Sequence, residues 1–234
     1  MDTQTRHALK QDKFAYAAAS SANWVSGHKS SVVRTAIGVA VVLALAISVL
    51  VYWNLNSSAA DSALGAAVDV YTTPLATPGA PAVAGEYTAA ADRAKEANRE
   101  FVAVAKNFSM MPQGAKAHYF AGITFEDLGQ NGSAESELKT ASGSWDRNVA
   151  NLAKLALAEL YQATARNDEA IKIYNELIAK PSTTVSTAVA QLDLADLYAA
   201  TGKQDQAKAL WAKVQDADKD GAAGAAAAAK LGKK

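Results

Sequence analysis

Residues 157–177 read LAELYQATARNDEAIKIYNEL, and residues 194–214 read LADLYAATGKQDQAKALWAKV. Laid one on the other, Leu157 meets Leu194, Ala158 meets Ala195, Tyr161 meets Tyr198, Ala165 meets Gly202, Ala170 meets Ala207, Tyr174 meets Trp211 and Leu177 meets Val214. A third copy stands upstream at 121–141, AGITFEDLGQNGSAESELKTA, with Ala121, Gly122, Phe125, Gly129, Ala134, Leu138 and Ala141 in the same places. The small residue recurs at 122, 158 and 195, in steps of 36 and 37. In each copy, apolar residues at helical spacing flank a short polar break, the pattern of two amphipathic helices joined by a turn. Small residues let two helix backbones approach, while Phe125, Tyr161, Tyr198, Leu138, Tyr174 and Trp211 fill the space beside them. Such a hairpin leaves one apolar face open, so the copies must stack. A half-unit precedes them, because Ala97, Phe101 and Val104 match the second helix 37 residues before Ala134. The rival reading is a plain helical bundle with accidental periodicity.

This spacing resembles the tetratricopeptide repeat (TPR), a helix–turn–helix unit of about 34 residues in which L-G-x2-Y is followed by A-x3-F. The extra residues fit the connectors, for instance AKPSTTVST with Pro181 near the repeat end. Composition agrees. Of 234 residues 50% are apolar, 20% charged and 7% aromatic, with no cysteine and 55 alanines. That excludes collagen-like and disulfide-stapled chains and argues against an all-β domain. It also removes thiol catalysis and thiolate metal sites.

From Thr35 to Trp53 the chain reads TAIGVAVVLALAISVLVYW, 19 residues without a charge. At 1.5 Å per residue this reaches roughly 28 Å, close to the hydrocarbon thickness of a bilayer. Tyr52 and Trp53 stand at one end, where amphipathic rings favour the headgroup level. A buried core helix and a cleaved signal peptide, with SSAADSA as the cleavage region, are the alternatives to a retained anchor. Residues 1–34 carry five basic and two acidic groups, net +3, and the remaining 200 carry 18 and 21, net −3. The neutral total thus conceals a positive-inside signal that places the N-terminus in the cytoplasm and residues 54–234 outside. In the arm, Leu9, Phe14, Trp24 and Val25 mix with Lys10, Lys13, His28 and Lys29, either as an amphipathic helix on anionic lipid or as a tail that only sets topology.

The expected architecture is all-α: one N-terminal transmembrane helix followed by an α-solenoid of tetratricopeptide-like hairpins. The segments are a cytoplasmic arm (1–31), the span (32–53), a juxtamembrane helix (54–73), a Pro-rich linker (74–85) holding Pro74, Pro78 and Pro81, the repeats (86–216) and a capping helix or tail (217–234). Repeat register places Lys116, Tyr119, Ile123, Glu126 and Asp127, then Leu152, Leu155, Glu159 and Gln162, then Val189, Leu192 and Asp196 on the concave surface. This lining is apolar with acidic spots. It suits an extended polypeptide better than a C-terminal carboxylate, which needs converging Lys, Arg or Asn donors. The same residues also suit packing against the membrane-proximal helix or a dimer partner.

Chemistry is sparse. His7, His28 and His118 stand far apart, and no nucleophile elbow, phosphate loop or dinucleotide motif occurs, so neither an enzyme nor a cofactor is expected. Nor is nucleic acid. Asp193 and Asp196 lie one helical turn apart, a spacing ordinarily seen on solvated surface. Asp216, Asp218, Asp220 and Gly221 open like a calcium loop, yet its twelfth position is Ala227 instead of a bidentate Glu, leaving calcium or a plain polar loop. Asn131-Gly132-Ser133 has the glycosylation pattern and equally suits a turn.

The whole arrangement resembles the ancillary SecYEG translocon subunits of YfgM type, over most of residues 32–216. The residues that carry the resemblance are Tyr52-Trp53-Asn54, then Asp61-Ser62-Ala63 and Tyr71, followed by the Pro-rich break and the repeats. The arm RHALKQDKF and the length of the Pro-rich loop differ from the type member. The resemblance implies a single-pass inner-membrane protein associated with the Sec translocon and with periplasmic chaperones or exported polypeptides. It brings no catalytic residue. The rivals are a repeat scaffold for cell division or outer-membrane assembly, and a released periplasmic binding module.

Overall fold

A computed structural model describes residues 29–77 and 86–232, and the chain divides into two compact units, 1–56 and 57–234. The arm with Leu9, Phe14, Trp24 and Val25, and Pro78 and Pro81 of the linker, lie outside the described residues. Among the described residues there are nine helices, and the single β feature is an isolated bridge between Leu75 and Tyr87.

The first helix, α1 (Lys29–Thr72), runs without interruption through the segments expected as span and juxtamembrane helix. In the first unit its large apolar side chains stand in the open: Val42 is 65% exposed, Leu45 62% and Leu50 64%. It is long and apolar enough to cross a membrane. Its polar side chains fold back on the backbone, Ser48 Oγ donating to Ala44 O at 2.8 Å and Asn56 Nδ2 to Tyr52 O at 2.8 Å. This satisfies their donors within the helix itself. The helix ends where Pro74 disfavours α geometry at Thr73, with Thr72 and Thr73 hydroxyls donating to Val68 O and Asp69 O.

The second unit is an all-α solenoid. Residues 57–72 of α1 open it, followed by α2 (Ala90–Asn107), α3 (Pro112–Asp127), α4 (Asn131–Ser142), α5 (Arg147–Ala163), α6 (Asn167–Ala179), α7 (Thr187–Ala200), α8 (Gln204–Ala217) and α9 (Ala222–Leu231). The three quoted copies are the hairpins α3–α4, α5–α6 and α7–α8. Each turn closes in the same way. Gly129, Ala165 and Gly202 take positive φ of 71°, 59° and 79°. The next residue donates its N–H back across six residues, Gln130 to Phe125 O at 2.8 Å, Arg166 to Tyr161 O at 2.7 Å and Lys203 to Tyr198 O at 2.8 Å. This left-handed C-cap recurs at the repeat spacing.

Packing follows the small-and-large rule. Ala134, Ala158, Ala170, Ala195 and Ala207 are fully buried, as are Leu138, Tyr174 and Val214 or nearly so. A Cβ on Gly122 would sit 2.6 Å from Leu138 Cγ, so α3 and α4 touch there only because the side chain is absent. Phe125 and Tyr198 are half-buried rather than core. The half-unit is complete in space: Ala97, Phe101 and Val104 of α2 are buried against Ala63, Leu64, Ala67, Val68 and Tyr71. The 57–72 segment therefore supplies the missing first helix. Asp61 accepts from Gln113 Nε2 at 2.6 Å and Tyr71 OH donates to Asp127 Oδ2 at 3.0 Å, so this segment runs parallel to α3. At the other end α9 closes the stack, Ala227 packing with Ala195, Trp211 and Val214.

Candidate interaction face

The first helices of the hairpins, α3, α5 and α7, share one face of the solenoid. Tyr119, Ile123, Leu152 and Leu155 on that face are half-buried, their inner sides packed on the core that holds Leu157, Tyr161 and Leu194. Leu192 packs beside Trp211 and Ala195, and Val189 is half-buried. Lys116 is exposed at the head of α3. Between the apolar shoulders runs a ladder of carboxylates. Partial desolvation raises the Glu126 carboxyl, with the charge of Asp127 adding to it. Glu159 is raised by desolvation and then by the charges of Asp193 and Glu126. Asp193 is pushed up to about 6 by desolvation and by Asp196, with Lys230 opposing. The phenols of Tyr119 and Tyr174 are raised first by burial and then by the same charges, Glu159 acting on Tyr119, and Asp193, Glu159 and Asp196 on Tyr174. Gln162 Oε1 accepts from Tyr174 OH at 3.5 Å.

Two expected members of the face have their carboxylates engaged. Asp196 accepts from Trp211 Nε1 at 2.9 Å and is ion-paired with Lys230, so it ties α7 to α8 and α9. Asp127 holds the Tyr71 hydroxyl. Asp193, read from sequence as solvated surface, is instead part of the ladder. The signal for it was its position: it lies one turn before Asp196 on a helix whose other side holds Leu194 and Leu197.

Asp216, Asp218 and Asp220 do not gather. Among the described residues no three potential ligands converge on a metal-sized site. Asp218 Oδ2 accepts from Gly224 N at 3.1 Å at the head of α9, and a Cβ on Gly224 would lie 1.9 Å from Asp218 O. Within the motif, Asp218 thus bonds the first turn of α9, and a Cβ on Gly221 would lie 2.2 Å from its Oδ1, an arrangement that fits the polar-loop alternative.

No protein-family profile matches the chain, and no curated protein matches it. Solved structures do. A Podosopora anserina chain described as kinesin light chain-like with nearly identical TPR-like repeats superposes with a TM-score of 0.50 at 17% identity, over 60% of this chain and 76% of that one. A single-residue variant of that protein gives 0.56 at 16% identity, over 75% and 84%. These likenesses establish the fold as a TPR-like α-solenoid.

Proposed function

We propose that the protein is a membrane-anchored interaction module, held in the bacterial inner membrane by residues 32–53 with its N-terminus in the cytoplasm and its repeats in the periplasm. Its partners are proteins, and it has no catalytic step and no cofactor. The observation that carries this reading is the α3–α5–α7 face. There, half-buried Tyr119, Ile123, Leu152 and Leu155 border the carboxylates of Glu126, Glu159 and Asp193, which no cation of the described residues neutralises by direct pairing. Apolar shoulders around negative charge that lacks a direct ion pair suit a cationic, partly apolar polypeptide segment. The YfgM-type resemblance supports a place beside the Sec translocon, receiving exported polypeptides or their chaperones. Packing supports retention of the anchor over release. Cleavage near Asp61 would remove Ala60, which is fully buried, and expose the end of α1 that packs on α2 and α3.

A photo-crosslinking residue at Leu155 in living cells tests the assignment. Adducts to translocon subunits, periplasmic chaperones or exported chains are expected, and their loss when Glu159 and Asp193 are changed together to Lys. Adducts confined to cytoplasmic proteins, or to septal components, would replace this reading with another compartment or with the cell-division scaffold.

A further inference from the structure

We propose that the solenoid edge carrying Met110 and Trp145 docks on a lipid bilayer surface. Among the described residues from 57 onward, Trp145 at 73% and Met110 at 68% are the two most exposed large apolar side chains. They lie on the same edge and together line one shallow cleft of about 430 Å³, with Ser109, Ala115, His118 and Ser144. Both occupy the residue before a helix N-cap, Met110 before Met111 on α3 and Trp145 before Asp146 on α5. An apolar residue there ordinarily staples onto the fourth helical residue. The third hairpin shows the satisfied version: Val185, before the N-cap Ser186 of α7, is fully buried. Capping thus accounts for Val185 and leaves most of Met110 and Trp145 in water without a structural role.

The chemistry around them fits headgroups. Arg147 and Lys180 line an adjoining cleft with Trp145 and enter no ion pair among the described residues. The acids nearby are occupied, Asp146 accepting from Asn148 N at 2.9 Å and Glu176 paired with Lys154 at 3.1 Å. An indole and a thioether beside free cations are what an anionic interface accepts. Chain connection supplies the proximity. Asp61 bonds Gln113 at the head of α3, so the unit's first turn lies on this same edge, and by sequence only three residues, Asn54, Leu55 and Asn56, separate Trp53 from that unit. A connection of three residues, itself part of α1, limits how far the edge can stray from the surface its anchor occupies. The inference rests on the anchored reading above.

The chain has no cysteine, which permits single-site labelling of the full-length protein in phosphatidylglycerol–phosphatidylcholine nanodiscs with spin-labelled lipid. A fluorophore at Ser109→Cys, beside Met110, should be quenched well beyond one at Gln130→Cys in the α3–α4 turn, and Met110→Ser with Trp145→Ser should abolish the difference. Leu45→Cys reports the anchor. Quenching at 45 with none at 109 above that at 130 overturns the docking alone, whereas no quenching at 45 overturns the anchored reading and docking with it. Quenching at 109 that survives the double substitution, or shielding that arises only when a protein is added, also overturns it, the latter assigning the edge to a protein surface.

Discussion

Two stretches of one helix, α1, live under opposite rules. Up to Trp53 the large residues are exposed, and nothing of the apolar window is buried by protein. Beyond Asn56 one side of the helix is covered: Ala60 and Ala67 are completely buried, Ala67 against Ala97 and Phe101 of α2 and Ala121 of α3, while Ala59, Gly65 and Ala66 stay exposed. In a water-soluble unit, burial of small side chains brings backbones together and large ones lock the gaps. In the first stretch none of the described residues covers the large apolar side chains. The comparison teaches that apolar content does not by itself locate a core. What locates it is whether the pattern leaves room for a neighbouring helix.

The sharpest way to break the comparison is to remove bulk from each stretch. Phe101 is fully buried, stacked on Phe120 at 5.0 Å and edge-on to Tyr71 at 6.3 Å. Phe101→Ala should cost about 3–5 kcal/mol of the solenoid's stability in a urea melt, and Leu45→Ala should leave that melt unchanged. Adding bulk gives the next effect. Ala67→Leu should destabilise by ~1–3 kcal/mol through overpacking, while Ala40→Leu, exposed in the first unit, should have no effect on the same transition. Equal responses in the two stretches would mean that the first is also covered by protein.

Much of this was legible in the residues. The 36- and 37-residue steps fixed hairpins, turn positions and the small-large pairs, because close helix approach admits few side chains at Gly122, Ala158 and Ala195. The long apolar helix was legible as a run without charge. The role of residues 57–72 was not, since Ala60, Ala63 and Ala67 look alike whether a helix stands free or completes a hairpin. Only partners far along the chain decide it, as the Asp61–Gln113 bond does across 52 positions. The face was half legible. Repeat register identified Tyr119, Ile123, Glu126, Leu152, Leu155 and Glu159 as neighbours. Register could not show that Asp196 is drawn away by Trp211 and Lys230 or that Asp193 takes the open place, because both depend on α8 and α9 folding back. Met110 and Trp145 gave no periodic signal, being loop residues.

Within the close-packed unit some positions are held at a cost, and Asp193 is one. Its carboxyl rises from 3.8 to about 6 in the folded state. A raised acid favours the folded state while protonated, so its contribution is complete below pH 4 and is lost as the pH climbs through about 6. Asp193→Asn should therefore stabilise the solenoid by ~1 kcal/mol at pH 7.5, after allowance for solvent screening, and the gain should vanish near pH 4. Thermal melts at the two pH values check this. A gain that persists at pH 4 would assign the effect to side-chain shape instead of charge.

The smallest effect tests the repeat turns against each other. Gly129, Ala165 and Gly202 share a left-handed backbone, yet only Ala165 carries a Cβ, at φ 59°. That conformation costs an alanine roughly 1–2 kcal/mol, partly offset because alanine loses less backbone freedom on folding than glycine does, by about 0.4–1 kcal/mol. The difference sets the expectation: Ala165→Gly should stabilise by ~0.5 kcal/mol, and Gly202→Ala should destabilise by a similar amount. Open space surrounds the Cβ position at Gly202, so no clash enters the comparison. The pair of substitutions is equal and opposite only if the two turns are held by the same bonds, Arg166 N to Tyr161 O and Lys203 N to Tyr198 O. The cations above those turns differ, Arg166 lying 4.0 Å over the Tyr161 ring and Lys203 5.5 Å over Tyr198. A larger response at 165 than at 202 would therefore measure how far the tighter Arg166–Tyr161 stacking holds its turn in place against the strain of the alanine.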